Sequence, residues 1–158
     1  MDQKRELLRD TVATVAYRGG KAIRGASAGF AEFKAHETAR TPARLLAHLG
    51  DLYDWALSIA KGAQAWNDST PLAWDLESAR FFESLARFDA YLASDAPLAC
   101  TPEQLFQGPV ADSLTHVGQL TMLRRLAGEP MRSENYYRAD IATGRVGAEQ
   151  TAPKREFD

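Results

Sequence analysis

Three polar side chains stand at helical spacing inside an otherwise apolar segment near the end of the chain: Asp112, His116 and Gln119. Residues four apart lie on one face of an α-helix, so Asp112 and His116 can share one ligand. His48 is placed in the same way within an earlier apolar segment, residues 45–59. If the two segments pack together, His48, Asp112 and His116 form a two-histidine, one-carboxylate site.

Such a set of ligands suits a divalent metal ion. Zn²⁺, Ni²⁺ and Fe²⁺ accept neutral imidazole and carboxylate ligands, and a cation would offset the cost of burying Asp112. Three protein ligands leave coordination positions open for water or substrate, which is typical of catalytic sites. An ion held there would lower the pKa of bound water or activate a thiol.

A polar network without metal is the competing interpretation. Asp112 can hydrogen-bond His116, and a carboxylate near the start of a helix is stabilised by the helix dipole. His48, alone in an apolar arc, is more often a core histidine than a ligand. Because the D-x-x-x-H spacing is common in helices, spacing by itself favours the network over the metal site.

Neighbouring polar residues are candidate partners of these ligands. Asp51, one turn from His48, is predicted to orient the imidazole or else to be a solvated charge. Gln119, one turn past His116, is predicted to hold a bound water or to complete the polar network. His36 is interpreted as a surface histidine, with a proton shuttle at the mouth of the site as the alternative.

Four helical segments must position these residues. Apolar spacing predicts helices from residue 3 into the twenties, from Pro42 to about residue 59, over 72–93, and over 109–127. Thr41 is the expected N-cap of the second helix. A cap and short first turn at 101–104 precede the last helix, and Gly108-Pro109 interrupts it. Gly19-Gly20 weakens the first.

The residues after Pro130 contain few aliphatic side chains and no helical period. The sequence therefore predicts an all-α four-helix bundle over residues 1–130 and an irregular C-terminal extension over 131–158 that packs partly on the bundle. Tyr136, Tyr137 and Ile141 are its expected anchors, whereas residues 144–158 are expected to be loosely held. No β-strand pattern is evident.

A second apolar strip on the last helix consists of Val110, Leu114 and Val117. It predicts a homodimer, unless a neighbouring helix or the returning tail covers it.

Composition limits the classes of function. The chain has 158 residues, is 45% hydrophobic and 25% charged, and has a net charge of −2, which argues against a nucleic-acid binder. Its single cysteine, Cys100, fits a reducing cytoplasmic setting. The charged N-terminus has no signal-peptide pattern, and no apolar run is long enough to span a membrane.

The motifs resemble those of the DinB-like metalloprotein superfamily, four-helix proteins that include YfiT-like and mycothiol-dependent enzymes. The resemblance is carried by His48-Leu49-Gly50-Asp51 and by His116-Val117-Gly118-Gln119, the second of which is similar to the end of an H-x-x-x-H-R-G-Q pattern. It covers most of residues 1–130, and residues 134–141 look like a subgroup extension.

The resemblance implies a metal site and a helix order. In that family one histidine of the second helix and two of the fourth bind a divalent metal, often nickel or zinc, and a long crossover joins the second and third helices. The corresponding ligands here are His48, Asp112 and His116, with iron or manganese as alternative metals. Asp112 replaces a histidine, which makes the site harder and less zinc-like, and Val117 replaces the arginine.

Three functions are compatible with these features. The first is a metal-dependent enzyme that acts on a small-molecule substrate, as a transferase for a low-molecular-weight thiol or as a hydrolase. The second is a metal-binding or stress-response module without turnover. The third is a helical dimer in which the polar residues form only a hydrogen-bonded network.

Overall fold

Local signals determine where most of the helices begin and end. The computed structural model of the chain describes residues 2–158. It contains α1 (Gln3–Ile23), α2 (Pro42–Ala60), α3 (Trp74–Ala93), α4 (Pro102–Leu105) and α5 (Ala111–Leu126). As predicted, the Thr41 side chain caps α2 by accepting a hydrogen bond from the Arg44 N–H, and Thr101 and Gln104 form a capping box on α4. The chain is mostly helical and all-α in class.

The last helical segment is broken where the sequence predicts an interruption. A π-helical turn, Phe106–Val110, joins α4 to α5, and Gly108 has non-helical dihedrals of φ −88° and ψ −105°. Pro109 lacks an N–H and cannot continue a regular hydrogen-bond ladder. As a result α5 begins at Ala111, slightly later than predicted, and Asp112 lies in its first turn.

Helices α2 and α3 run side by side in the same direction. Near the start of α3, Arg80 donates a hydrogen bond to the Ala47 carbonyl, and near its end the Tyr91 hydroxyl lies 3.5 Å from the Ala60 carbonyl. Two parallel helices require a connection that returns along their length, and residues 61–73 provide it.

This connection is held against α2 at both ends. Near its start, the Ala65 N–H donates to the Ser58 hydroxyl. Near its end, the Ser69 N–H donates to the Asp51 carboxylate at 2.9 Å. We refer to residues 61–73 as the crossover.

Helix α1 runs opposite to α3 and alongside α4 and α5. Arg9 pairs with Asp89 at 2.9 Å on the α3 side, and Arg124 near the end of α5 donates to the Ala22 carbonyl near the end of α1 at 3.1 Å. Both α1 and α2 contact α3 and α5, so the four long helices share one core. Its largest members include Phe30, Leu46, Leu49, Phe81, Leu85, Phe88, Leu92 and Leu120. Among the described helices, none has the length and hydropathy needed to cross a bilayer.

The C-terminal extension is tied to α1 by buried charge. The Glu134 carboxylate accepts hydrogen bonds from the Tyr17 hydroxyl and the Lys21 ammonium, each at 2.8 Å. Lys21 also donates to Glu156 at 2.9 Å. A lysine this deep in a structure needs carboxylate partners, and both come from the extension.

Two expectations for the extension were wrong. Residues 144–158 are not loosely held, because Val146 is buried in the core and Glu156 binds Lys21. A short antiparallel pair also joins β1 (Ser133–Glu134) to β2 (Glu156–Phe157). Strands of two residues are too short to produce a recognisable alternation in sequence.

The second apolar strip on α5 is covered within the chain. Val110 and Val117 are buried, and a Cβ added at Gly19 on α1 would lie 3.6 Å from Val117. The alternative of a neighbouring helix therefore accounts for the strip, which no longer supports a homodimer.

Gly19 lets α1 approach α3 closely. A Cβ at this position would lie 2.7 Å from Cζ of the buried Phe81 ring, far inside van der Waals contact. The Gly19-Gly20 pair, expected to weaken α1, lies within a continuous helix, and at Gly19 the packing against Phe81 leaves no room for a side chain.

We expect Gly19→Ala to destabilise the protein by about 1 kcal/mol or more, because overpacking against Phe81 outweighs the better helix propensity of alanine. Gly118→Ala on α5 is the matched control. No atom lies within 4 Å of its added Cβ, so it should stabilise by up to about 1 kcal/mol. Urea unfolding measures both, and equal effects would contradict the close approach of α1 and α3.

Candidate metal centre

The packing of α2 against α5 brings the three predicted ligands together. The two helices run in opposite directions, and the Tyr53 hydroxyl and the Ser113 hydroxyl join them at 2.8 Å. One turn away, His48 Nε2 lies 3.5 Å from Asp112 Oδ2, and His116 Nε2 lies 3.4 Å from the same oxygen. One ligand atom from each residue lies within 4.8 Å of the other two.

The two separations from Asp112 Oδ2 fit ligands around an ion better than hydrogen bonds. Good hydrogen bonds between nitrogen and oxygen span about 2.7–3.2 Å, and both Nε2–Oδ2 distances are longer. Two ligand atoms each about 2.1 Å from a tetrahedral metal lie about 3.4 Å apart. The side chains of His48, Asp112 and His116 could therefore hold a metal ion.

Gln119 orients one of the two imidazoles. Its Oε1 lies 2.8 Å from His116 Nδ1. Because an amide oxygen only accepts, Nδ1 must carry the proton, which leaves the Nε2 lone pair free on the side of Asp112. Gln119 thus contacts His116 at the ring nitrogen where a metal-binding histidine usually has a hydrogen-bond partner, which fits its predicted place in the polar network.

Asp51 has neither of the two roles predicted for it. It neither orients His48 nor faces solvent. Its buried carboxylate accepts hydrogen bonds from the Ser69 N–H and hydroxyl at 2.9 and 2.7 Å and pairs with Arg80. Asp51 lies about 60° around the helix axis from His48, and its carboxylate contacts α3 and the crossover.

Two residues near the centre were missed by the sequence analysis. Trp66, on the crossover, packs edge-on against the His48 ring at 5.5 Å and against Trp55 at 5.8 Å. Arg40, just before α2, places a positive charge close enough to affect the pKa of His48. In the sequence, Trp66 stands out only as an aromatic residue beside a polar turn. No sequence feature near Arg40 indicates that it lies close to the site.

Burial lowers the pKa of His48 below its ordinary value, and the nearby His116 and Arg40 side chains act in the same direction, whereas Asp112 raises it. The imidazole is therefore neutral at pH 7 and its lone pair is available. Because the folded chain binds this proton less tightly than the unfolded chain, stability falls as the pH drops from about 6.5 towards the folded pKa.

A cleft of about 480 Å³ opens beside His116 and Gln119. Arg40 supplies a charge at its wall, and the remainder of the wall is mainly apolar: Ala39, Leu45, Met122 and Leu123. Asp112 is 47% exposed whereas the two histidines are largely covered, so the centre is accessible from the carboxylate side. Water or a small molecule can reach it.

His36 lies apart from the three ligands. It is exposed and its Nδ1 contacts the Thr38 hydroxyl at 3.1 Å within its own turn. The interpretation of His36 as a surface histidine fits this position.

No family of known proteins, no curated protein and no solved structure matches this chain. Its function is therefore inferred from the geometry of the centre.

We expect opposite changes in the pKa of His48 from two substitutions in metal-free protein. Asp112→Asn should lower it further because a negative charge is lost, and His116→Gln should raise it because a repelling imidazole is lost. Titration of the His48 ring protons by NMR measures both, with His36 as an internal reference. Shifts of the same sign would contradict this account of the electrostatics.

Proposed function

We propose that the chain is a divalent-metal-dependent enzyme of the DinB-like kind, in which His48, Asp112 and His116 hold the ion. The observation that carries the proposal is the convergence of their three ligand atoms at separations suited to a metal. A bound ion would lower the pKa of a water or thiol that it contacts. The reaction class is transfer of a small thiol, or hydrolysis of a small substrate.

The arrangement of the helices supports this assignment. The resemblance implies a four-helix bundle with a long crossover between the second and third helices. Here α2 and α3 run in the same direction and the crossover, residues 61–73, returns along α2. We therefore propose that the four long helices form a DinB-like bundle.

Residues around the centre would give the ion imidazole lone pairs, open coordination positions and a route for substrate. Neutral His48 offers a lone pair at pH 7, and Gln119 keeps the proton of His116 on Nδ1. With three protein ligands the ion would keep open positions, and the cleft beside His116 admits a small substrate. Arg40 at its wall favours a substrate that carries a negative charge.

Nickel or zinc is the proposed metal, by resemblance. Asp112 in place of a histidine makes the ligand set harder, so iron and manganese are the alternatives. A metal-binding module without turnover is the second candidate, and the observation that favours it is Val117 in place of the family's arginine.

Protein purified without a histidine tag should bind one Ni²⁺ or Zn²⁺ per chain, as measured by elemental analysis and calorimetry. His48→Ala and His116→Ala should abolish stoichiometric binding. Gln119→Ala, which removes only the orienting partner, should weaken binding by about 10–100-fold. The chain offers a matched control in His36→Ala, which should bind metal as the unaltered protein does.

Failure to bind either metal in stoichiometric amount would refute the proposal. The ligand role of Asp112 has its own test, since Asp112→His should raise Zn²⁺ affinity by completing a three-histidine set. Unchanged or weaker affinity in that variant would show that Asp112 is not a ligand.

Low-molecular-weight thiols should raise the melting temperature of the metal-loaded protein if one of them is the substrate, because ligand binding stabilises the folded state. The same thiols should have no effect on the His116→Ala variant. A flat response of the loaded protein to a panel of thiols would count against thiol transfer and leave hydrolysis open.

A further inference from the structure

The half-buried guanidinium of Arg18 on α1 has no hydrogen-bond or ion-pair partner among residues 2–158. The Nε of Arg18 is buried and has no hydrogen-bond partner within residues 2–158. An unsatisfied buried donor costs free energy, and folded proteins pair nearly all such groups. The terminal N–H groups of Arg18 also have no protein acceptor within residues 2–158 and, unlike Nε, are not closed off from solvent, so a ligand in the adjoining space can reach them.

An aromatic ring, rather than an acid, holds this side chain in place. The Arg18 guanidinium lies over the Tyr136 ring, 4.1 Å from its centroid. Tyr136 in turn packs edge-on against Tyr17 at 6.2 Å. Stacking covers one face of a guanidinium but leaves the N–H groups along its edge free to bind an anion.

Arg18 lines a cavity of about 230 Å³ between α1, α5 and the extension. A second guanidinium, that of Arg125 on α5, lines the same cavity and donates to the Ser133 hydroxyl at 3.2 Å. Gly118 forms part of the wall, and no atom lies within 4 Å of the position its Cβ would take. The cavity is thus open enough for a ligand and carries two positive charges.

The acid at the cavity wall is already paired. Glu134 lines the cavity, but its carboxylate accepts hydrogen bonds from Tyr17 and from Lys21. Its ion pair is with Lys21, and among the described residues it forms none with Arg18 or Arg125.

We propose that this cavity binds the phosphate group of a small molecule, or free phosphate. Guanidinium groups match phosphate oxygens in charge and in forked geometry. The donors come from α1 and α5, with the extension closing the cavity, so they approach from different directions. A tetrahedral oxyanion, whose oxygens point in several directions, fits this arrangement better than a planar carboxylate. The site lies on a different face of α5 from the metal centre and does not depend on it.

Calorimetric titration of the full chain with inorganic phosphate tests the proposal. A chelator is present throughout, so that phosphate cannot bind an ion at the metal centre. We expect one site per chain, with Arg18→Gln weakening binding by about 10–100-fold, the loss of a charged hydrogen bond. The matched control is Arg138→Gln, an exposed arginine of the same extension that stacks on Tyr137, and it should retain the affinity of the unaltered protein.

A second variant keeps all the charges and blocks the space. Gly118→Leu should abolish phosphate binding while the far-ultraviolet circular dichroism remains that of the folded helical protein. The proposal is overturned if phosphate does not bind, or if Arg18→Gln and Gly118→Leu both bind it as well as the unaltered protein.

A phosphomonoester that binds at least as tightly as inorganic phosphate identifies the ligand as a phosphorylated small molecule, and weaker binding identifies free phosphate. Acetate as tight as phosphate would refute the choice of a tetrahedral anion.

Discussion

The pairing of Arg80 with Asp51 is the contact on which the candidate metal centre depends. It joins α3 to α2, and through the Ser69 hydrogen bonds to the same carboxylate it fixes the end of the crossover. Gly50 makes room for it, because a Cβ there would lie 2.9 Å from an Arg80 nitrogen. With the crossover fixed, Trp66 packs against His48 and limits the positions of that ring.

The segment His48-Leu49-Gly50-Asp51 therefore combines two roles. His48 faces α5 and the candidate centre, whereas Gly50 and Asp51 face α3 and the crossover. Both are consequences of helical geometry, because at about 100° per residue Gly50 lies about 160° and Asp51 about 60° around the axis from His48, on the same side. A short motif of this kind can thus contribute one ligand and also the contacts that hold the surrounding elements in place.

Charged side chains are paired differently in four parts of the molecule. Asp51 is satisfied by Arg80 and Ser69, and Lys21 is satisfied by two carboxylates of the extension. At the centre, the Asp112 oxygen lies too far from either imidazole for a good hydrogen bond, so a bound ion would give this carboxylate the partner that the protein does not. Arg18 has an aromatic ring against it but no acceptor for its Nε. The metal centre and the Arg18 cavity are the two places where we propose ligands.

The sequence by itself determined the features that depend on neighbours along the chain. Thr41 and Thr101 mark the starts of helices, Gly108-Pro109 marks the break, and the four-residue spacing of Asp112 and His116 places them on one face. Capping, dihedral preferences and helical period act over a few residues, so these signals are readable from sequence.

Tertiary structure decided what depends on distant segments. Only packing showed that His48 meets Asp112, that Asp51 turns to Arg80 and not to His48, and that Gly19 is needed against Phe81. Only packing showed that buried Lys21 takes its partners from an extension with no helical pattern. The physical reason is that a charge is paired, or a cavity filled, by whichever group the fold brings near it. The local sequence does not indicate which group that is.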